Sequence, residues 1–258
     1  MAPHWKCGSR QRVAGSNPAL SATFASLVAM QARDVVALPT GEFTFPLDGD
    51  AYPGQTGFLV AYAIRHSNGV FLFDTGFAPD GPEMAEFYVR YAVKPRDIDE
   101  VLSAASVDAA EISAIANCHL HLDHAGQNAR FPGTPIYVQR AEWTAAHEPD
   151  YTYLPSIDFP GASYVELDGE VEPMPGMRIL PTPGHSPGHQ SLVIDSPDGL
   201  LLLAGQAVYS RGEWVGLPAA REGASTAPDR AAYDRSIARL KALNPKEVLF
   251  GHDRQGWP

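Results

Sequence analysis

The decapeptide Asn117-Cys-His-Leu-His-Leu-Asp-His-Ala-Gly126 places three imidazoles and a carboxylate within six residues. His119 and His121 stand two apart, so in extended chain they project to the same side. Asp123 and His124 follow as the chain turns, and can serve a second, adjacent position. Imidazole and carboxylate are the ligands that suit zinc and related divalent metals. A solvated polar turn is the alternative, but it does not call for this density of ligand-type residues. The zincin helix pattern does not apply, because its two histidines stand four apart on a helix.

The flanking sequence supplies strands on both sides. Residues 111–117 form a short apolar segment, read as a strand that delivers the histidines. Upstream, residues 57–64 are an apolar run, Asn68-Gly69 is a hairpin turn signal, and residues 70–73 are the returning strand, which ends at Asp74-Thr75-Gly76. Residues 82–104 read as helical, with breaks near Pro95. Downstream, residues 135–139 read as a strand and 141–147 as a short helix. Residues 149–164, rich in proline and aromatics, read as a surface loop suited to substrate contacts. Residues 177–180 read as a strand before Thr182-Pro-Gly-His-Ser-Pro-Gly-His189. Residues 192–194 and 200–204 read as a hairpin around Ser196-Pro-Asp-Gly199. Tyr233, Ile237 and Leu240 mark one face of a helix that stops at Asn244-Pro245. Residues 247–250 read as a last strand, with His252 just after it.

Composition narrows the function. Among 258 residues, 45% are hydrophobic and 19% charged, enough for a sizeable core. Thirty acidic against 19 basic residues argue against a nucleic-acid partner. No run of 18 apolar residues is present, so no membrane span is expected, and the expected location is the cytoplasm. Cys7 and Cys118 cannot build a disulfide framework. Residues 1–29 contain Lys6, Arg10 and Arg12 but no acid, and show no helical or strand period. Gly15-Ser16-Asn17-Pro18 resembles a translated transfer-RNA T-arm. The expectation is an over-extended reading frame or a disordered leader over 1–29, a start at Met30, and one domain over 30–258.

The motif His119-x-His121-x-Asp123-His124 resembles the signature of the metallo-β-lactamase superfamily. That resemblance implies an α/β fold, an αββα sandwich with a one- or two-metal site along one edge. It extends over most of residues 35–252. Asp74 is similar to the family's strand-end aspartate, which orients the site. Gly184-His185 and Gly251-His252 are similar to its later ligand motifs. The resemblance assigns His119, His121 and His185 to a first metal, and Asp123, His124 and His252 to a second. Zinc is the default ion; manganese, cobalt or iron suit the same ligands.

Within the superfamily the chain is most similar to N-acyl-homoserine lactonases. Residues 117–126, Gln139-Arg-Ala-Glu-Trp143 and Ala204-Gly-Gln-Ala-Val-Tyr209 carry that similarity. It implies a small-molecule lactone substrate, attack by a metal-held hydroxide, Tyr209 on the lactone carbonyl, and Asp123 carrying a proton to the leaving alkoxide. One position departs from the pattern: Gln206 stands where relatives carry an aspartate that bridges the metals. A neutral amide leaves the site one negative charge short, so two metals with a weakened second are expected. A one-metal hydrolase and a metal-binding homologue of reduced activity are the alternatives. A thioesterase of the glyoxalase II type is the rival substrate reading, although its glutathione site usually lies in a basic C-terminal extension. Cys118 is expected to point away from His119 as a buried strand thiol, and His189 to be a hydrogen-bonded structural residue. His66 and His147 are expected to face solvent. Trp214 and Tyr153 are candidates to line an acyl-chain pocket.

Overall fold

Side chains of neighbouring strand residues point to opposite faces, so a strand apolar at every position must be covered on both sides. β3 (Gly69–Phe73) shows this directly, with Val70, Phe71, Leu72 and Phe73 all buried. The computed structural model describes residues 30–48, 53–78, 84–217 and 227–256. In it β1 (Val35–Thr44), β2 (Thr56–His66), β3, β4 (Lys94–Pro95), β5 (Ile112–Ala116), β6 (Pro135–Gln139) and β7 (Ser163–Leu167) form a sheet in the order β4-β1-β2-β3-β5-β6-β7. The second sheet contains β8 (Val171–Met174), β9 (Met177–Pro181), β10 (Gln190–Ile194), β11 (Leu201–Leu203) and β12 (Glu247–Leu249), in the order β12-β11-β10-β9-β8.

Phe71 and Phe73 share an inter-sheet core with Ile179, Leu192, Ile194, Leu201 and Leu203. Val70 and Leu72 face the other way and join Ile98, Val101 and Leu102 of the helix Ile98–Ala104. On the second sheet, Val193, Leu202 and Val248 turn outward into a cluster with Leu240 of the helix Arg230–Ala242. The layers are therefore helix, sheet, sheet, helix, the expected αββα sandwich. Each fully buried Leu, Ile or Phe contributes roughly 1.5–3 kcal/mol, so one charge at Leu192 or Phe73 would offset a large part of the net stability.

Pairing direction gathers the chemistry at one edge. β3 and β5 run parallel, with Phe73 beside Ala116, so Asp74 and Asn117 emerge together. β11 and β12 are also parallel, with Leu203 beside Leu249, so Gln206 and His252 follow adjacent ends. β10 is antiparallel to β11, which brings the 182–189 loop to that same edge.

Two expectations are refined. The helical reading of 82–104 divides into a helix Ala85–Arg90, the edge strand β4 and the helix Ile98–Ala104. Pro95 pairs with Gly41 at the sheet edge, where its missing N–H is tolerated. The loop reading of 149–164 gives way to a short helix Leu154–Ile157 and to β7, which is hard to read because only Leu167 of its five residues is buried. β8 holds Pro173 and is another edge strand. The helix Arg230–Ala242 ends as expected, with Asn244 in the left-handed region at φ 51° before Pro245. Met30 is buried against the inter-sheet core, while residues 1–29 lie outside the described residues. Among the described residues no helix is long and apolar enough to cross a membrane.

Candidate metal centre and pocket

Where β3 ends, Asp74 takes a left-handed φ of 66°, uncommon for a side-chain-bearing residue. That turn sends a buried carboxylate toward the end of β5. Its Oδ1 accepts from the Cys118 backbone N–H at 2.7 Å, and its Oδ2 lies 2.9 Å from His124 Nδ1. The next turn is fixed by Asn117 Nδ2, which donates to the His124 carbonyl, and by the Thr75 hydroxyl, which donates to Asn128 Oδ1. Backbone donors and amide side chains thus hold residues 117–124 in one shape.

That shape assembles two triangles of ligand atoms. In the first, His119 Nε2 is 2.9 Å from His121 Nδ1, and His185 Nε2 is 3.1 Å and 3.3 Å from these. In the second, His124 Nε2 is 3.2 Å from His252 Nε2 and 3.4 Å from Asp123 Oδ2, and the third side is 3.7 Å. A tetrahedral zinc with bonds of 2.0–2.1 Å has ligand atoms about 3.3–3.4 Å apart. Both triangles match one face of such a tetrahedron. The donor set fits the chemistry too, because every member is an imidazole or a carboxylate. All six residues expected to hold metal are therefore brought together.

The far side of each ring fixes which nitrogen is free. His124 Nδ1–H donates to Asp74, and His252 Nδ1–H donates to the Phe58 carbonyl at 3.0 Å. His119 Nδ1 lies 3.1 Å from Cys118 Sγ. Each ring thereby turns its Nε2 toward the position a cation would take, the usual division of labour at metal sites. Cys118 is buried as expected, but it does not point away. β5 stops at Ala116, so the strand alternation behind that expectation has already ended, and the sulfur sits against His119 and His124.

Charge is divided unevenly between the triangles. Burial and the neighbouring imidazoles push His119 and His185 well below the ordinary histidine pKa. Burial and His124 push His252 down to about 4. Burial alone would lower His124 as well, but Asp123 and Asp74 outweigh it and hold the pKa up to about 9. Asp123 itself is lowered: burial opposes this, and His124 and His252 prevail. The first triangle thus offers lone pairs at neutral pH, while the second holds a proton that a metal must displace.

A cavity of about 780 Å³ opens over both triangles. His121, Asp123, His252, Gln206 and Tyr209 form its polar floor, and Phe43, Phe45, Phe77 and Phe87 an apolar wall. The Tyr209 ring stacks on His252 with centroids 4.4 Å apart and planes inclined by 12°. The Gln206 backbone N–H donates to His189 Nε2 at 2.9 Å, and the Gln206 side chain reaches His124. His189 is the structural residue expected: its Nδ1–H donates to Thr182 Oγ1 at 2.8 Å. Tyr153 lines the cavity, whereas Trp214 belongs to the core beneath the helix Arg230–Ala242. His147 is exposed; His66 is half-buried, its Nδ1 accepting from Asn68 N–H in the β2–β3 turn. Sequence reasoning missed Glu142, a buried acid within the Gln139–Trp143 segment.

The family model of the metallo-β-lactamase superfamily matches residues 55–252, which take in every strand but β1 and all six triangle residues. The chain belongs to the metallo-β-lactamase superfamily. An N-acyl homoserine lactonase of Bacillus sp is 35% identical over 206 residues, covering 74% of this chain and 80% of that protein. The N-acyl homoserine lactonase AiiA of Bacillus thuringiensis subsp. kurstaki is 35% identical over 212 residues, with the same coverage. A solved N-acyl homoserine lactone hydrolase, with the product N-hexanoyl-L-homoserine at its catalytic metal centre, superposes with a TM-score of 0.71 at 28% identity. It covers 88% of this chain and 94% of its own.

Proposed function

We propose that this chain is a metal-dependent hydrolase that opens the lactone ring of N-acyl homoserine lactones, and so quenches quorum signals. The observation that carries the proposal is the pair of ligand triangles on the floor of a cavity with an apolar wall, in a chain similar to lactonases over most of its length. A polar ring over the floor and an acyl chain along the phenylalanines would match that division of the cavity.

His119, His121 and His185 would hold a first ion, and Asp123, His124 and His252 a second. When bound, divalent ions, zinc by default, would supply Lewis acidity to the carbonyl and make hydroxide available near neutral pH. The Tyr209 hydroxyl is assigned to donate to the lactone carbonyl oxygen as negative charge develops there. Its stacking on His252 would limit ring rotation and so orient that donor. Asp123 is 21% exposed at the cavity floor and is assigned to pass a proton to the alkoxide that leaves as the acyl C–O bond breaks. The product would be an N-acyl homoserine. Residues 30–258 would suffice for this activity.

The test is a substrate panel of lactones, thioesters and β-lactams on metal-loaded protein, with and without a chelator. Rapid opening of N-acyl homoserine lactones, abolished by the chelator, is expected. Inert lactones beside rapidly cleaved thioesters would favour the thioesterase reading instead.

A further inference from the structure

Glu142 lies outside both triangles, yet it touches three of the segments that build the site. It sits in the short helix Arg140–Ala145 after β6 and is 1% exposed. Its Oε1 accepts from the Leu120 backbone N–H at 2.9 Å, and Leu120 is the residue between His119 and His121. Its Oε2 accepts from the Ser186 hydroxyl at 2.6 Å and from the Gly188 backbone N–H at 3.0 Å, in the loop that carries His185. The Tyr151 hydroxyl donates to Oε1, and the Tyr151 ring packs on His121 with centroids 4.8 Å apart. Four donors from three segments thus fill the acceptor capacity of one carboxylate.

The approach of this helix to the His185 loop is close. A Cβ on Gly188 would fall 2.1 Å from the Glu142 backbone nitrogen, so the loop can pass there only as glycine. The two loops that carry the first triangle share one backbone bond here, from the Gln190 N–H to the Cys118 carbonyl at 2.7 Å. β5 has already ended at Ala116, and β10 begins only at Gln190. The carboxylate therefore adds bonds on the ligand side of that contact, at Leu120, Ser186 and Gly188.

We infer that Glu142 is a positioning residue for the first metal: it sets the His119–His121 loop and the His185 loop at the separation one cation requires, and ties the Tyr151 wall of the cavity to them. The inference rests on the metal-binding reading of the first triangle. An amide in place of the carboxylate shows why the charge matters. Glutamine has one acceptor oxygen and turns an NH₂ toward the remaining donors. The Ser186 or Tyr151 hydroxyl can rotate and accept from it. The backbone N–H of Leu120 or of Gly188 cannot, so one ligand loop loses its anchor.

The experiment measures zinc affinity by competition with a chromophoric chelator, and the visible spectrum of the cobalt-loaded protein, for wild type and Glu142→Gln. A loss of about 10–100-fold in the affinity of the tighter ion, with weakened or shifted cobalt bands, is expected. Tyr151→Phe and Ser186→Ala each remove one hydroxyl and keep both backbone bonds, so each should stay within about threefold of wild type. Glu142→Gln binding within about threefold of wild type with an unchanged cobalt spectrum would overturn the inference. So would hydroxyl variants that weaken the ion as much as Glu142→Gln does. If Glu142→Gln fails to fold, Glu142→Asp gives the decision. It keeps the charge but cannot reach both loops, so it should weaken the tighter ion about tenfold, and no weakening would count against the clamp. A wild type that binds no metal would instead sink the metal-binding reading itself.

Discussion

Gln206→Asp should tighten the second ion, and by less at neutral pH than at alkaline pH. The side chain lies at the cavity floor, 9% exposed, with its backbone fixed by His189 and its amide against His124. A carboxylate about 4 Å from a unit charge gains about 4 kcal/mol at an effective dielectric of 20. Burying a third acid near Asp123 and Asp74 costs part of that gain. A second discount comes from His124, whose pKa is held up to about 9. At pH 7 its proton must be displaced, at a cost of roughly 3 kcal/mol, taking 1.36 kcal/mol for each unit below the pKa. Wild type and variant both bear that cost, so the discount on the gain is only the extra amount by which the new carboxylate holds the proton. The expected result is a gain of about tenfold in second-site affinity at pH 7 and a larger one above pH 9. Metal content by elemental analysis across buffered free-metal concentrations, at both pH values, supplies the measurement. An unchanged second affinity at both would show that the bridging charge is irrelevant here. A gain that is larger at pH 7 than at pH 9 would refute the role given to the His124 proton.

The metal-free protein should lose stability in two directions from about pH 6.5. His124 is raised to about 9, so its contribution is full below the unfolded pKa and fades as pH climbs toward 9; His252 is lowered to about 4, so stability also falls as pH drops from 6.5 toward 4. Thermal melts across pH should show this maximum, and saturating zinc should remove the alkaline fall. Tyr209→Phe should cut kcat for lactone opening about tenfold or more with metal content unchanged; equal turnover would remove Tyr209 from the carbonyl. A chain starting at Met30 should melt with the full-length protein, whereas one lacking Met30 loses a side chain buried on the inter-sheet core, worth about 1.5–3 kcal/mol when complete. A large fall in Tm for the Met30 start would show that residues 1–29 pack on the fold.

What the sequence made legible follows from where local chemistry is dense. The candidate ligand residues were legible because imidazoles two and five positions apart have few other uses. The central strands were readable because both of their faces are apolar, as in β3 and β10. The edge strands β4, β7 and β8 were not. Their side chains are largely exposed or half-buried, and Pro95 and Pro173 argue locally against a strand. Cys118 was placed on the wrong side because alternation was carried two residues past the end of β5. Glu142 carried a signal that was passed over: an acid within an apolar-faced helix beside Trp143. Its partners, Leu120, Ser186 and Gly188, are 22 to 46 residues away in the chain, and no local pattern brings them together.

The placement of charge gives one account of both the fold and the departure at position 206. Asp74 and Asp123 converge on His124 from opposite sides, at 2.9 Å and 3.4 Å. In the metal-free protein the His124 proton stands in for the missing cation, since a buried pair of carboxylates with no positive charge between them would be costly. An aspartate at 206 would make three carboxylates against that one proton. With glutamine there, the metal-free site is nearer to neutral, and folding depends less on metal. If glutamine at 206 weakens the second ion as proposed, it should also make the metal-free protein more robust. Gln206→Asp ought to show the exchange directly: a lower Tm without metal, and a larger rise in Tm when zinc is added.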